Sequence, residues 1–314
     1  MRDVSSKFNT LRTARASATL SVSPGTIRAV RSGNLPKADP LAVAKVAAIQ
    51  AAKQTSQMIP YCHQVPLDYV GVEIELFRSS ITVTTEVKAI WKTGVEMEAL
   101  AAAAAAALTL YDMLKLIDDS MQISGVTLLQ KTGGKSDRNE QLKGLTAAVV
   151  IVSDSVSAGR ARDRSGKILQ DRLKEFRIRV ERVRVIPDDR ERITKELIDL
   201  ADRRKIDLIL TTGGTGAGPR DLTPEATAAV IDRRLHGVEE GFRSYGRDRL
   251  PTAMLSRGLA GLRGMSLIIN LPGSPRGAED GINALFPSIL HVFRMMMGEG
   301  HPARKTPAAK KRSA

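Results

Sequence analysis

Apolar and polar residues alternate with a period of two in two neighbouring stretches of the first half of the chain. The stretches VGVEIELF (residues 70–77) and SITVTTEV (residues 80–87) place apolar side chains at every second position. This pattern predicts two paired β-strands that turn near residues 78–80. A further strand is predicted around residues 126–129.

Other parts of the first half favour helices. The stretch Pro40–Met58 is rich in good helix formers and starts with a proline, which suits the first turn of a helix. Residues 1–36 predict a short strand next to a basic, helix-like stretch around Arg12 and Arg15.

The stretch EMEALAAAAAAALTLYDMLK, residues 96–115, contains seven consecutive alanines. It is either a low-complexity spacer or a helix whose two ends do chemistry. Glu98, Asp112 and Lys115 interrupt its apolar character, so we do not expect a membrane span, which needs about 20 apolar residues. Small side chains let a neighbouring helix or sheet approach closely, so Ala104→Leu is expected to disturb packing or assembly.

The second half alternates buried strand patterns with amphipathic helix patterns. Strands are predicted at residues 146–155, 179–185, 206–210 and 266–270, and helices at residues 165–176 and 190–203. Strands that alternate with helices imply right-handed crossovers and a mostly parallel sheet.

The length of 314 residues suits two domains better than one. The polar, glycine-containing stretch KTGGKSDRNEQLKG separates the first half of the chain from the second, in which strand and helix patterns alternate. We therefore predict a first domain at residues 1–137, a linker at 138–145 and a second domain at 146–299. Residues 300–314 hold five basic residues and no acid, which predicts a basic disordered tail.

Charge and cysteine content narrow the functional classes. The formal net charge of +14 favours phosphate-rich partners, such as nucleic acid, anionic membranes or phosphorylated small molecules. The chain has only four Tyr, six Phe and one Trp, which argues against a single-strand nucleic-acid binder. The single cysteine, Cys62, excludes an internal disulfide framework. No apolar signal core opens the sequence, so a soluble cytoplasmic protein is expected.

Four polar loops follow four predicted strands of the second half. They read SDSVSAGRARDRSG, IPDD, TTGGTGAGPRDLTPE and NLPGSP. In a parallel sheet such loops gather at one edge, where ligands bind. Gly213, Gly214 and Gly216 let backbone N–H groups approach an anion closely, and Asp188 and Asp221 could share Mg²⁺.

Each loop alone also has a plainer interpretation as a turn or a helix cap. The GGTGAGPRD stretch is not a Rossmann fingerprint, because Pro219 stands where the last glycine should be. The four loops together nevertheless suit phosphoryl or nucleotidyl transfer, in which positioning and charge neutralisation dominate.

These loops closely resemble those of the molybdopterin-binding family, in particular molybdopterin adenylyltransferase, over about residues 146–298. The resemblance implies that ATP adenylylates molybdopterin and releases pyrophosphate. It implies that Asp188 and Asp221 serve Mg²⁺-ATP and catalysis. The residues that it places around the pterin and the nucleotide are Ser153, Asp154, Gly213, Gly214, Thr215, Gly216, Pro272, Gly273 and Ser274. The alternative is a non-catalytic binding or assembly module.

The first half holds a separate set of charged residues near the alanine-rich stretch. Asp112 and Lys115 are spaced i, i+3, so they can pair on one helix face. Lysines near carboxylates can bind phosphates and transfer protons. Such a pair is also common on plain surfaces, and Glu96 and Glu98 could simply favour the helix dipole. Glu98 and Asp112 would lie roughly 21 Å apart along a helix. Either the two ends have separate roles, or a neighbouring subunit completes the site.

The blocks DVSSK, AAIQAAKQTSQMIPYCHQVPL, KTGVEMEAL, LTLYDMLK and LLQKTGGKS resemble the cyclic pyranopterin monophosphate synthase family. The resemblance implies conversion of a cyclic dihydroguanosine triphosphate to cyclic pyranopterin monophosphate, with loss of pyrophosphate and no cofactor. It implies catalytic roles for Asp112, Lys115, Lys37 and Lys131. The residues that it places at the substrate are Tyr61, Cys62, His63, Glu96, Met97, Glu98, Arg12, Lys53 and Lys135. Ala38 and Gln64 depart from the family pattern.

Both resemblances together indicate a bifunctional enzyme of molybdenum cofactor synthesis with pterin and nucleoside triphosphate substrates. They imply a ferredoxin-like α+β domain followed by a three-layer α/β domain with a mostly parallel sheet. They also imply self-association, as a hexamer through the first domain and with trimer contacts through the second. We expect no membrane partner and no nucleic-acid partner.

Overall fold

The computed structural model describes residues 1–134 and 144–298. The chain splits into two compact units, residues 1–139 and 140–314. Lys135, most of the predicted linker and the predicted basic tail lie outside the described residues.

The first unit is an antiparallel sheet with helices. Its strands are β1 (Thr10–Ser21), β2 (Tyr69–Leu76), β3 (Ser80–Trp91) and β4 (Gln122–Thr132), and its helices are α1 (Pro24–Ser32), α2 (Pro40–Met58) and α3 (Glu96–Leu114). The strand order is β2-β3-β1-β4 and all neighbours are antiparallel. The predicted hairpin, the helix α2 and the alanine-rich helix are confirmed.

The predicted helix-like stretch around Arg12 and Arg15 is wrong, because both residues lie on strand β1. Alanine and arginine favour helices, which makes this segment look helical by composition. The burial pattern has a period of two instead. Ala14, Ala16 and Ala18 are fully buried, so the alternation of small apolar residues decides for the strand.

The alanine run lies inside α3 and packs on two sides. On one side are the α3 residues that contact the sheet: Ala99, Ala103 and Ala107, against Ala14, Ala16, Ala18, Val87 and Ala89. On the other side are the α3 residues that share a core with α2: Ala102, Ala106, Leu110 and Leu114, with Ala44, Ala48 and Ala52. By length and composition alone α3 would also qualify as a membrane span. Its packing is that of a core helix between a helix and a sheet.

Replacing Ala103 with leucine should lower the free energy of unfolding of the first unit by about 1–3 kcal/mol, because no space exists for the added carbons. Ala103 is fully buried, whereas Ala104 is only half-buried. Ala104→Leu is therefore the matched control. The packing defect expected from the sequence at position 104 is now expected at position 103. Calorimetry of the full chain would measure both variants. Equal shifts of the unfolding transition would contradict the packing argument.

The second unit is an α/β sandwich. Its strands are β5 (Thr146–Val152), β6 (Arg179–Ile186), β7 (Leu208–Thr212), β8 (Arg233–Arg234), β9 (Ala260–Arg263) and β10 (Ser266–Leu271). Its helices are α4 (Asp154–Ser157), α5 (Ser165–Glu175), α6 (Arg190–Ile198), α7 (Thr223–Ala228), α8 (His236–Arg247), α9 (Pro275–Leu285) and α10 (His291–Met296).

The sheet of the second unit is mixed. The strand order is β6-β5-β7-β10-β9-β8. The strands β6, β5, β7 and β10 are parallel to one another. Strand β9 is antiparallel to both of its neighbours, β10 and β8. Alternate residues of β5 enter two cores, one with α5 and α9 and one with α6 and α7. Helices therefore cover both faces, and the loops that follow the four parallel strands meet at one edge.

Two candidate active sites

In the first unit, the carboxylate of Asp112 lies between two lysines. Lys115 Nζ lies 2.7 Å from Asp112 Oδ1, and Lys37 Nζ lies 3.0 Å from Asp112 Oδ2. Lys37 also donates a hydrogen bond to the backbone oxygen of Asp112 at 2.8 Å. The i, i+3 pairing of Asp112 and Lys115 is thus confirmed. Lys37 joins the pair from the loop before α2, 75 residues away in sequence.

The two lysines hold Asp112 in its charged form. Hydrogen bonds from Lys115, and then from Lys37, lower the pKa of the Asp112 carboxyl. The same hydrogen bond raises the pKa of Lys115. Both shifts favour the ionised pair at neutral pH. All three side chains are accessible to solvent, so an anionic ligand can reach the two ammonium groups.

The other end of α3 carries a second ion pair. Lys131 Nζ on β4 lies 3.2 Å from Glu96 Oε1. Gly94 makes room for this carboxylate, since a Cβ at position 94 would lie 1.9 Å from Glu96 Oε2. The first turn of a helix favours the negative charge of Glu96.

The structure does not bring Lys131 to Asp112 within one chain. The helix between these two clusters has 19 residues and is roughly 28 Å long. Of the four residues expected to be catalytic in this unit, Lys37, Asp112 and Lys115 form one cluster. Lys131 belongs to the other end of α3.

Glu98 is a buried carboxyl beside the single cysteine. Its residue is only 3% exposed, and Cys62 Sγ donates to Glu98 Oε1 at 3.6 Å. Among the described residues, Glu98 Oε2 has no hydrogen-bond partner. Burial raises the pKa of Glu98. Burial, together with the charge of Glu98, raises the pKa of Cys62 to about 11.

The Cys62 thiol should therefore alkylate slowly. At pH 8 we expect iodoacetamide to react on the order of 10- to 100-fold more slowly with Cys62 than with a free thiol, because little thiolate is present. Glu98→Gln should accelerate the reaction, and Glu73→Gln at an exposed position of β2 is the matched control. Cys62 is the only cysteine of the chain, so labelling reports on it alone. Equal rates in wild type and in Glu98→Gln would contradict the interaction.

The remaining predicted substrate residues of this unit differ in exposure. Tyr61 and Met97 are 78% and 39% exposed, and Lys53 is an exposed residue of α2. His63 is half-buried in the loop after α2. Arg12 donates hydrogen bonds to the backbone oxygens of Trp91 and Lys92, so part of its guanidinium is committed to the adjacent strand end.

In the second unit, two loops are joined by a reciprocal pair of aspartates. The backbone N–H of Asp154 donates to Asp188 Oδ2 at 3.0 Å, and that of Asp188 donates to Asp154 Oδ1 at 3.2 Å. Ser153 accepts from the backbone of Val156 and so caps α4. Arg220 Nη2 lies 2.5 Å from Asp154 Oδ2 and connects the loop after β7 to the same pair.

Two glycines let the carboxylates lie against the loop after β7. A Cβ on Gly214 would lie 2.9 Å from Asp188 Oδ1, and one on Gly216 would lie 2.7 Å from Asp221 Oδ2. Burial raises the pKa of Asp188, and the neighbouring charges of Asp154 and Asp221 add to the effect. The backbone N–H of Gly218 donates to Asp221 Oδ2 at 2.8 Å. Asp188 and Asp221 are thus close enough to influence each other electrostatically.

Gly213 has a different role from the predicted one. Its backbone N–H donates to Leu271 O at 3.1 Å, so it is not available to an anion. Its φ is +109°, and a Cβ would lie 2.1 Å from Val152 O. Only glycine fits this backbone approach. The N–H group of Gly213 therefore does not contribute to an anion site.

The loop after β10 closes the same edge. Pro272 O accepts a hydrogen bond from Thr212 Oγ1 at 2.8 Å, and Ser274 caps α9. Gly273 backs onto Gly213, since its Cβ would lie 3.1 Å from Gly213 Cα. Thr215 is buried. The structure thus brings the predicted residues of all four loops to one edge of the sheet.

Arg257, which sequence reasoning missed, contacts the same loop. It follows a short 3₁₀ turn, Pro251–Leu255, and donates to Gly216 O at 2.7 Å and to Asp221 O at 2.5 Å. No local sequence signal marks it, because its acceptors, the backbone oxygens of Gly216 and Asp221 and the carboxylate of Glu225, lie more than 30 residues away.

Within residues 1–134 and 144–298, no group of three or more His, Cys, Asp or Glu side chains could hold a metal ion. Asp188 and Asp221 offer two carboxylates. This number suits Mg²⁺, which keeps several waters and is often held by one or two carboxylates plus substrate phosphates.

Two family models match the chain in succession. The MoaC family matches residues 1–134, and the family described as probable molybdopterin binding domain matches residues 148–291. A cyclic pyranopterin monophosphate synthase of Nostoc sp. is 51% identical over 140 residues, which cover 43% of this chain and 82% of that protein. A molybdopterin adenylyltransferase of Helicobacter pylori is 41% identical over 152 residues, covering 48% of this chain and 86% of that protein.

The two units therefore define a fusion of a MoaC-type domain and a molybdopterin-binding domain. The same order extends over the whole length of a relative. The molybdenum cofactor biosynthesis bifunctional protein of Chlorobaculum tepidum is 44% identical over 301 residues, covering 96% of each chain. The chain belongs to this family of molybdenum cofactor biosynthesis bifunctional proteins.

Proposed function

We propose that the chain is a bifunctional enzyme of molybdenum cofactor biosynthesis. Its first unit acts as a cyclic pyranopterin monophosphate synthase, and its second unit acts as a molybdopterin adenylyltransferase. The observation that carries the proposal is the relationship to a bifunctional protein over 96% of the chain, combined with a charged cluster in each unit. ATP and the other triphosphate are cytoplasmic metabolites, which supports a cytoplasmic location.

In the first unit, Asp112 orients two ammonium groups. Formation of a cyclic monophosphate from a triphosphate joins a hydroxyl oxygen of the substrate to the α-phosphorus and releases the hydroxyl proton. The bond between the α-phosphorus and the oxygen of the leaving pyrophosphate breaks. Negative charge grows on that oxygen, and positioned cations stabilise it. Lys37 and Lys115 supply the cations, and the lowered pKa of Asp112 keeps its carboxylate charged between them. Tyr61, His63 and Met97 are accessible to hold the pterin precursor.

In the second unit, the loops at the sheet edge bind and orient two phosphates. An oxygen of the terminal phosphate of molybdopterin attacks the α-phosphorus of ATP, and the bond to pyrophosphate breaks. Backbone N–H groups of the loop after β7 neutralise phosphate oxygens. Asp188 and Asp221 would hold the Mg²⁺ that accompanies ATP, and this ion would supply charge neutralisation for the leaving pyrophosphate. We propose no metal for the step of the first unit.

The direct test is to incubate the purified full chain with each expected substrate and to follow pyrophosphate. We expect release from the cyclic dihydroguanosine triphosphate alone, and release from ATP only when molybdopterin is present. Release from the first substrate but not from ATP plus molybdopterin would reduce the second unit to a binding or assembly module. A separate DNA-binding measurement tests whether the net positive charge of the chain has a role of its own. Release of the protein from DNA at moderate salt would identify that binding as non-specific and unrelated to either activity.

The first unit is further proposed to have a ferredoxin-like fold and to assemble as a hexamer with sites between subunits. The element order β-α-α-β-β-α-β and the sheet order β2-β3-β1-β4 support this fold. The separation of Lys131 from Asp112 along α3 supports a shared site, because one small substrate cannot span both ends. Trimer contacts are proposed for the second unit.

Subunit complementation tests the shared site. Lys131→Ala and Asp112→Asn should each be inactive in the first reaction. After unfolding and joint refolding, a mixture in equal amounts should recover about one quarter of wild-type activity, because about one site in four combines two intact halves. Self-mixtures of each variant are the controls. A mixture that stays as inactive as the self-mixtures would place both residues in one subunit's site.

A further inference from the structure

Four consecutive carbonyl groups of the glycine loop, residues 213–222, are held from one side. Thr223 binds the first two, through its Oγ1 to Gly213 O at 2.9 Å and through its N–H to Gly214 O at 3.1 Å. Arg257 binds the next two. Its backbone N–H donates to Thr215 O at 2.9 Å, and its side-chain Nε donates to Gly216 O at 2.7 Å.

The four N–H groups that follow these carbonyls have no such contacts. In a trans peptide the N–H points opposite to the C=O of the same peptide plane. The N–H groups of Gly214, Thr215, Gly216 and Ala217 therefore point away from Thr223 and Arg257. In the part of the chain that the structure describes, none of these four N–H groups has a hydrogen-bond acceptor. A run of unpaired backbone N–H groups is a ready anion site.

Thr223 and Arg257 lie on the same side of the loop. Thr223 begins α7, and Arg257 forms an ion pair with Glu225 in the first turn of that helix. Arg257 Nη2 also donates to Asp221 O at 2.5 Å. All three nitrogens of the guanidinium thus have protein acceptors, and Glu225 balances its charge. Arg257 is placed to hold the loop rather than to bind a ligand directly.

We infer that Arg257, together with Thr223, is a positioning residue that turns the N–H groups of residues 214–217 toward a phosphate of the substrates. The inference rests on the proposed adenylyl transfer. The shared ligand chemistry is a phosphate oxygen, which either ATP or the terminal phosphate of molybdopterin can supply. The Arg257 side chain also holds the backbone oxygen of Asp221, so it supports the chain at both ends of residues 216–221.

Arg257→Gln tests the inference. We expect KM, and the dissociation constant from calorimetry, to rise about tenfold or more for the phosphate source that the loop holds, because charge-assisted hydrogen bonds that order the loop are lost. Separate titrations with ATP and with molybdopterin distinguish the two sources. Arg263→Gln is the matched control, because Arg263 also binds a backbone oxygen, Val230 O, and a carboxylate, Asp202. It should lose stability without a change in either affinity.

The outcomes separate the inference from the proposed function. Affinities and KM values of Arg257→Gln within about twofold of wild type for both substrates would overturn the inference. Tight binding of both substrates by wild type without turnover would overturn the adenylyl transfer, and the affinities would still test Arg257. If Arg257→Gln does not fold, Thr223→Val removes one buried hydroxyl and should raise the same KM. An unchanged KM there would also overturn the inference.

Discussion

Asp112→Asn is expected to reduce formation of cyclic pyranopterin monophosphate by on the order of 10²- to 10⁴-fold. The substitution keeps the shape of the side chain and removes the charge that Lys37 and Lys115 share at 3.0 and 2.7 Å. Without that charge the two ammonium groups repel each other and lose their common position. Pyrophosphate release from the triphosphate substrate would measure the loss.

The same variant should keep full ATP-dependent adenylylation, because Asp112 belongs to the first compact unit alone. Asp119→Asn is the matched control, since Asp119 is an exposed carboxylate that follows the same helix. Equal loss in both variants, or full activity of Asp112→Asn, would remove Asp112 from the catalytic residues.

The pKa shift of Asp112 gives this prediction a pH signature. The hydrogen bonds from Lys115 and Lys37 lower the pKa of the carboxyl, so the charged form persists to a lower pH than for an ordinary aspartate. The loss of wild-type activity that follows protonation of Asp112 should therefore occur below the usual aspartate range. Lys115→Ala removes the larger stabilising contact, and any residual activity should fall at a higher pH. A pH profile without this shift would contradict the coupling.

The sequence allowed most elements to be predicted where one period dominates a long segment. Helix α2 matches its predicted bounds because alanine-rich composition, a first-turn proline and the absence of breakers agree. Part of strand β1 was predicted as a helix-like stretch because alanine is only weakly hydrophobic. The alanines of β1 at positions 14, 16 and 18 are nevertheless fully buried on the sheet. The antiparallel edge of the second sheet was not predicted, since β8 has only two residues.

The candidate sites were predictable as sets of residues but not as geometry. The loop motifs predicted that Asp188, Asp221 and the glycines lie close together, and the structure places Gly214 beside Asp188 and Gly216 beside Asp221. The roles of Gly213 and Lys131 depended on contacts between distant segments: the backbone of Leu271 for Gly213, and the carboxylate of Glu96 for Lys131. Arg257 illustrates the same limit, because its backbone acceptors and its ion-pair partner Glu225 lie more than 30 residues away in sequence.

Asp221→Ala is expected to reduce ATP-dependent adenylylation of molybdopterin by on the order of 10²- to 10³-fold. The carboxylate of Asp221 accepts a hydrogen bond from Gly218 N–H and lies against Gly216. It is also close enough to Asp188 to raise the pKa of that residue further, after burial and Asp154. Removing it leaves one carboxylate where Mg²⁺-ATP is proposed to require two.

The result should mirror that of Asp112→Asn. Pyrophosphate release in the first reaction should stay at the wild-type level, because the two carboxylates lie in different compact units. Asp171→Ala removes an exposed carboxylate of α5 that pairs with surface lysines, and it should leave both reactions intact. If Asp221→Ala turned over ATP and molybdopterin at the wild-type rate, the catalytic assignment of the loop after β7 would be wrong. Opposite losses in the two variants would establish that one chain carries two separable reactions.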